Sequence, residues 1–233
     1  MKISVVIPTY NSEQFIADAL DSVNAQSRAV DEIICVDDAS TDKTIEIIRD
    51  KFKNVTLLRN KENQGPSASR NKAIAIAQGN IISFLDADDC WTKNKTLHQS
   101  MFLESEPELE IVGGLTDFYS AEGNEPQPEG TLPGQPHFNT YLSSLLIRKK
   151  VFNSIGMFDT TMRLSEDQDW FLRAREGNTR IKITDDIVLM KRIHSTNLTR
   201  GLNFRDSAMI TAIKNSLDRR RKSGALHNLK PFK

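Results

Sequence analysis

The sequence predicts a single α/β domain with a mostly parallel central sheet and helices on both faces. Three observations carry that reading. Short apolar runs of strand length recur at Ile3 to Ile7, Ile33 to Val36, Val55 to Leu58 and Ile81 to Leu85. Between them lie stretches with helical apolar spacing, too long for hairpins, which implies right-handed crossovers between parallel strands. The first, second and fourth runs halt on Pro8, Asp37-Asp38 and Asp86, so these residues should share one crevice at the carboxyl edge of the sheet, where open α/β sheets bind ligands.

The first run is halted by Pro8, after which Asn11 or Ser12 can cap a helix whose apolar positions are Phe15, Ile16, Ala19, Leu20 and Val23. A helix with Ile45, Ile48 and Phe52 on one face follows the second run. The third run leads into a polar loop, Asn60 to Gly65. Pro66 suits the first position of the next helix, where its missing N–H costs nothing; Arg70, Ala73, Ile74 and Ala77 lie within that helix, and Gly79 is the expected stop. Beyond Trp91 the pattern loosens. Leu97, Met101 and Phe102 suit a helix, Ile111 to Leu115 a strand, and Tyr141 to Ile147 another. Tyr119 to Pro136 is rich in Pro, Gly and Glu with little to bury, which predicts a mobile surface loop. Val151 to Ile155 reads as a short helix closed by Gly156, Glu166 to Glu176 as a helix with Trp170, Phe171 and Ala174 inward, and Val188 to Met190 as a last strand. Phe204 to Arg221 reads as a terminal helix and Gly224 to Lys233 as a frayed tail.

A chain of 233 residues suffices for one sizeable core. Lys plus Arg and Asp plus Glu both number 31, a balance that argues against general nucleic-acid binding while leaving room for one anionic small molecule in a local pocket. Cys35 and Cys90 have no metal-ligand spacing and read as reduced thiols. The opening apolar run is too short for a signal peptide and no run spans a bilayer, so the expectation is a soluble, cytoplasmic protein.

The chemistry concentrates at Phe84-Leu85-Asp86-Ala87-Asp88-Asp89, where an apolar strand stops on carboxylates. Asp86 and Asp88, two apart, point the same way if the extended geometry continues. Carboxylates repel a phosphate, but together they suit a hard divalent cation that can hold a diphosphate. The bland alternative is a solvated turn. A phosphatase-type Asp-X-Asp fits poorly, because here the motif follows a fourth strand and precedes Asp89 and Cys90.

Five segments together resemble the family-two glycosyltransferases, with their nucleotide-sugar-binding GT-A type fold: Ile7 to Asn11, Val36 to Asp42, Asn63 to Asn71, Phe84 to Trp91 and Ser165 to Trp170. They occur in the family's order and cover roughly Lys2 to Arg200. The resemblance implies a catalytic domain over residues 1–200, with a nucleotide-binding half at 1–92 and an acceptor half at 93–200, followed by a C-terminal helix and basic tail at 201–233. It implies that Pro8, Tyr10, Asp38 and Arg70 line the base pocket of a UDP-sugar, that Asp86 holds the ribose or donor sugar, and that Asp88 carries Mn²⁺ or Mg²⁺ on the diphosphate. Thr9 and Asn11 would fix the loop. Asp167 matches the general base, needed because sugar hydroxyls are poor nucleophiles. One base and no enzyme nucleophile means a single displacement with inversion. His194 falls where relatives place a His reaching the metal or diphosphate, and Arg200 would assist. The bland counterparts are a packing aromatic at Tyr10, a surface charge at Arg70, a structural His194, and an acidic helix start at Glu166, Asp167 and Asp169 that suits the dipole.

The implied function is sugar transfer from a UDP-sugar to a saccharide or lipid-linked saccharide hydroxyl, in bacterial surface polysaccharide synthesis. The competing classes are a nucleotide-sugar-binding partner protein without activity and a sugar nucleotidyltransferase. The latter would want a Gly-rich basic loop after the first strand, which Pro8-Thr9-Tyr10-Asn11 is not. Arg219-Arg220-Arg221-Lys222 reads as a solvated helix end, with peripheral contact to anionic lipid at the inner membrane face as the sharper alternative.

Overall fold

The computed structural model describes residues 1–120, 136–137, 141–162, 164–195, 197 and 208–224. Its strands are β1 (Ile3–Thr9), β2 (Glu32–Asp37), β3 (Val55–Arg59), β4 (Ile81–Phe84), β5 (Cys90–Trp91), β6 (Ile111–Ser120), β7 (Leu146–Arg148) and β8 (Ile181–Ile193). Its helices are α1 (Ile16–Asn24), α2 (Thr44–Lys51), α3 (Pro66–Ile76), α4 (Lys95–Ser105), α5 (Lys150–Ile155), α6 (Glu166–Glu176) and α7 (Ala208–Lys222).

The strands form one sheet in the order β3-β2-β1-β4-β7-β6-β8-β5. Pairing is parallel through β3, β2, β1 and β4 and again between β6 and β8, and antiparallel where β7 joins β4 to β6 and where β5 joins β8. Strand order reverses at β1, so a crevice opens between the carboxyl ends of β1, β2 and β4, the position expected of a ligand site. Register sets Thr9 beside Asp37, while β4 ends at Phe84 beside Val6, three residues short of the β1 end, so the acids that follow Phe84 come up alongside the end of β1.

The two-residue period of the strands sorts the core into two layers. Ile3, Val5, Ile7, Ile33 and Cys35 meet Ile16, Leu20 and Val23 of α1, Ile48 of α2 and Leu103 of α4. Val6, Ile34, Val36, Ile82 and Phe84 meet Ala73 and Ile74 of α3, Phe152 of α5 and Trp170 and Phe171 of α6. This is the expected α/β domain with helices on both faces.

Several local expectations give way to side-chain hydrogen bonding. α1 begins at Ile16, later than a cap at Asn11 or Ser12 would start it, because Ser12 accepts the Phe15 and Ile16 N–H groups through its backbone carbonyl. α3 ends at Ile76; Gly79 lies past it, donating its N–H to Ser4 Oγ at 2.8 Å, where a Cβ would sit 2.7 Å from the Ser4 nitrogen. Close approach, not capping, requires that glycine. Gly156 does close α5, at φ +86°. α4 forms, but its inward face is Lys95, Thr96, Gln99, Ser100 and Leu103, while Met101 is exposed.

The stretch from Tyr141 to Ile147 is not a strand throughout. Leu142–Ser144 makes a 3₁₀ turn before the short β7. Carbonyls that a ladder would have used are taken by distant side chains: Trp91 Nε1 donates to Ser143 O at 2.9 Å, Gln99 Nε2 to Ser144 O at 2.8 Å, and Lys95 Nζ to Leu145 O at 3.1 Å. Lys95 is fully buried with no carboxylate partner among the described residues, and burial lowers its pKa well below the lysine norm. β8 runs thirteen residues rather than three, since only its centre is fully apolar, and β5 was not expected at all. Both cysteines are free thiols. The expectations for most of Tyr119 to Pro136, for the start of the terminal helix before Ala208, for Arg200 and for the tail from Ala225 fall outside the described residues.

Candidate active site

The first part of the crevice is held by the ends of β1 and β2. Pro8 is partly buried and Tyr10 is 50% exposed, the disposition of a ring open to a flat ligand. Asn11, at φ +47°, donates its N–H to Ser40 Oγ and accepts the Thr41 N–H on Oδ1, both at 2.9 Å, so it fixes the loop. Asp38 is buried and its N–H donates to Thr9 O at 2.8 Å. Its carboxylate accepts from Asn60 Nδ2 at 2.7 Å and from the backbone N–H groups of Gln64 and Gly65 at 3.0 and 2.7 Å. Asp38 thereby ties the loop from Asn60 to Gly65 against β2. Arg59, Asn60 and Lys61 line an open recess of ≈ 500 Å³ beside it.

At the end of β4 each acid has a side-chain partner. Asp86 receives Arg70 Nη2 at 2.9 Å on its carboxylate and donates its own N–H to Ser143 Oγ at 3.1 Å, so the 3₁₀ turn cradles it. Asp88 Oδ2 stands 3.0 Å from His194 Nε2 and accepts from Asn197 Nδ2 at 3.3 Å. Burial opposes its ionisation, but the His194 hydrogen bond and the Lys191 charge outweigh that and hold its pKa below the ordinary value. Asp89 is wholly buried and accepts from Lys191 Nζ at 2.8 Å and the Arg192 N–H at 2.9 Å. Lys191 faces Asp89, Asp86 and Asp88 together, which raises its pKa against the burial that would lower it, and it stays charged.

β8 supplies this cation shell. Arg192 donates Nε to Asp88 O at 3.0 Å and Nη2 to Asp18 at 2.7 Å, and its guanidinium lies over Phe15. The His194 ring packs on Phe15 at 4.3 Å between centroids. His194 is buried and hydrogen-bonded to Asp88.

The far wall is the first turn of α6, entered through Ser165 at φ +60°. Glu166 is buried and paired with Arg70 Nη1 at 2.6 Å. Asp169 is buried between Arg173 Nε at 2.9 Å and Arg219 Nη1 of α7 at 2.8 Å. Asp167 lies between them in sequence without an ion pair among the described residues; its one hydrogen bond there is from the Gln168 N–H at 2.8 Å. Burial and then the Glu166 charge push its pKa up to about 6, against the opposing pull of Arg70. Trp170 is core, stacked on Phe152 and donating Nε1 to Gly156 O at 3.0 Å.

Arg70 is placed otherwise than a base-lining surface charge would be. Its side chain is almost wholly buried and bridges Asp86 of the β4 end to Glu166 of α6, two acids that lie eighty residues apart in the chain. That strut brings Asp86 and Asp167 into one electrostatic unit, since the Asp86 charge also raises Asp167. Sequence reasoning left Asp89 open and did not single out Ser143, Asn197 or the anchoring role of Lys191. A buried acid whose partner is 102 residues away leaves no local pattern. Arg219, read as part of a solvated helix end, is instead bound to Asp169 and Glu176. Asp88 and His194 are the carboxylate and imidazole able to hold a cation; among the described residues no group of three or more such side chains converges.

The model of "Glycosyl transferase family 2" matches residues 4–167. Among curated proteins, the "Poly(ribitol-phosphate) beta-glucosyltransferase" of Bacillus spizizenii is 32% identical over 80% of this chain and 31% of its own length. The Staphylococcus aureus "Poly(ribitol-phosphate) beta-N-acetylglucosaminyltransferase TarS" is 28% identical over 80% of this chain and 34% of its own. The chain thus spans about a third of either relative. The crystal structure of S. aureus TarS 1-349 in complex with UDP-GlcNAc superposes with a TM-score of 0.72 at 22% identity, covering 94% of this chain and 66% of that one, which shows a shared fold.

Proposed function

The chain belongs to glycosyl transferase family 2, and from that premise we propose that it transfers a hexose from a UDP-sugar to a hydroxyl of a cell-surface polymer or its lipid-linked precursor, inverting the anomeric centre. The observation that carries the reading is the unequal treatment of the acids around the crevice. Asp86, Asp89 and Glu166 pair with Arg70 or Lys191, Asp88 with His194, and Asp38 with backbone N–H groups, while Asp167 has no ion pair among the described residues and its pKa is pushed up to about 6. A carboxylate in that state accepts a proton near neutral pH. The glucosyl and N-acetylglucosaminyl transfer for which the two relatives are named, and the UDP-GlcNAc held by the structural neighbour, support the donor class.

In this reading Tyr10 offers its exposed face to the uracil, and Asp38 keeps the wall formed by Asn60 to Gly65 in place beside it. Asp86, positioned by Arg70 and Ser143, accepts from donor-sugar or ribose hydroxyls. Asp167 takes the proton of the acceptor hydroxyl as that oxygen attacks the anomeric carbon, and the diphosphate leaves on the opposite side. Lys191 and Arg192 give the leaving-group end its positive surroundings.

The residues present fit a divalent cation. Asp88 Oδ2 and His194 Nε2 stand 3.0 Å apart, a hard carboxylate oxygen and an imidazole nitrogen near enough to share one ion. Asp88 and His194 would hold Mn²⁺ or Mg²⁺, which when bound neutralises charge on the departing diphosphate.

The test is release of UDP from UDP-glucose and UDP-N-acetylglucosamine in the presence of polyribitol-phosphate or lipid-linked acceptors, with product anomeric configuration read by NMR. Inverted product formed by the native chain, and not by Asp167→Asn, is the expected result. Donor binding with no transfer to any acceptor would favour the non-catalytic reading, and pyrophosphate release from UTP and a sugar phosphate the nucleotidyltransferase.

A further inference from the structure

α7 presents two faces of different chemistry. One packs on α6, with Ala212 and Ser216 buried and Arg219 locked to Asp169 and Glu176. The opposite face carries Ile210, Ile213 and Leu217, which are 48%, 41% and 36% exposed. At 100° per residue these three fall within one narrow sector of the helix, an unbroken apolar stripe. The same projection sets Arg220 on one edge of the stripe and Lys214 and Arg221 on the other. On this arc Asp218 is the acid, and it is drawn to Arg221 at 3.6 Å. The chain as a whole is neutral, so this concentration of cations is local.

We propose that the outer face of α7 lies in the interface of an anionic membrane, with Ile210, Ile213 and Leu217 among the acyl-chain ends and Lys214, Arg220 and Arg221 among the headgroups. The pairing of an apolar stripe with cations along both edges decides the occupant. A protein groove would take the apolar stripe alone, whereas long cationic side chains that run up beside apolar ones match a surface that is oily below and negative above. The helix has fifteen residues, and no helix among the described residues is long and apolar enough to cross a bilayer, so α7 would lie along the surface. α6 connects this face to the catalytic crevice, because its first turn carries Asp167 and its body receives α7. Docking there would hold the crevice at a fixed height above the membrane, where a lipid-linked hydroxyl arrives. The membrane step does not depend on the transfer reaction and is measured separately.

The experiment is co-sedimentation of the full chain with vesicles of phosphatidylcholine alone and of phosphatidylcholine with phosphatidylglycerol. Binding should require the anionic lipid and fall steeply between low and high salt. K214Q/R220Q/R221Q should weaken it on the order of a hundredfold, as loss of three surface cations implies. I210S/I213S/L217S should weaken it as strongly, with the melting temperature and soluble-acceptor turnover of both variants at the native level. Equal binding to neutral and anionic vesicles, or anionic binding untouched by either variant, overturns the proposal. So does a native dimer that the serine variant converts to monomer, because the stripe would then belong to a second copy of the chain.

Discussion

The acids at the end of β4 and those at the start of α6 face the same crevice but live under different rules. Asp86, Asp88 and Asp89 are each engaged, by Arg70, His194 and Lys191. Of the α6 acids, Glu166 and Asp169 are matched by Arg70, Arg173 and Arg219, while Asp167 is passed over. Pairing fixes the shape of the first group, although burial still lifts Asp89 to about 7 beside Lys191. Asp167 is the acid that joins a pKa of about 6 to the lack of an ion pair among the described residues, which leaves it ready to take a proton. The contrast separates architecture from reactivity without any appeal to motif.

The sharpest way to break it is Asp167→Asn. Turnover should fall about 10²- to 10⁴-fold, the usual share of a general base, while donor KM stays near native. In the native chain turnover should also fall as pH drops below about 6, where Asp167 becomes protonated. The sign for stability is opposite. The folded pKa of about 6 exceeds the unfolded value of about 3.9, so the folded state binds the extra proton between them. Stability is therefore greatest at low pH in that window and is lost as pH rises through 6, and Asp167→Asn should melt higher than native at pH 8. A variant both inactive and less stable would point to a structural acid.

On the compensated side, Lys191→Met should cost about 3–5 kcal/mol in urea unfolding, because it strands Asp89 in the core. Adding Asp89→Asn should recover part of that loss; no recovery would mean the pair is not the source. Asp88→Ala should abolish the extra thermal stabilisation that Mn²⁺ gives to the UDP complex, while leaving the cation-free UDP shift as it was. The smallest effect is expected from Arg219→Gln, within about 1 kcal/mol, since its pairs are partly exposed and Arg173 still covers Asp169.

The parallel half of the sheet was legible because β1, β2 and β4 are near-continuous buried runs that stop on Pro or Asp, with the half-exposed β3 at the edge. Asp38, Asp86, Asp88 and Asp167 all come to the crevice where such strands and one acidic helix start place them. The other half was less legible for physical reasons. β8 is half-exposed or exposed over most of its thirteen residues and buried at Thr184, Val188, Leu189 and Ile193, so only Val188-Leu189 stands out, and its cations Lys191 and Arg192 look like surface charges until Asp89 and Asp88 are folded beneath them. Arg70 was singled out from the sequence, but its pairs with Asp86 and Glu166 were not. A lone arginine within a short helix does not announce that it will join two distant acids.

The turn at Leu142–Ser144 has a consequence of its own. Trp91, Gln99 and Lys95 grip its three successive carbonyl oxygens from the sheet and from α4, and Ser143 in turn steadies Asp86. A substitution at Trp91, Gln99 or Lys95 should therefore be felt at Asp86, transmitted through a turn to which none of the three belongs.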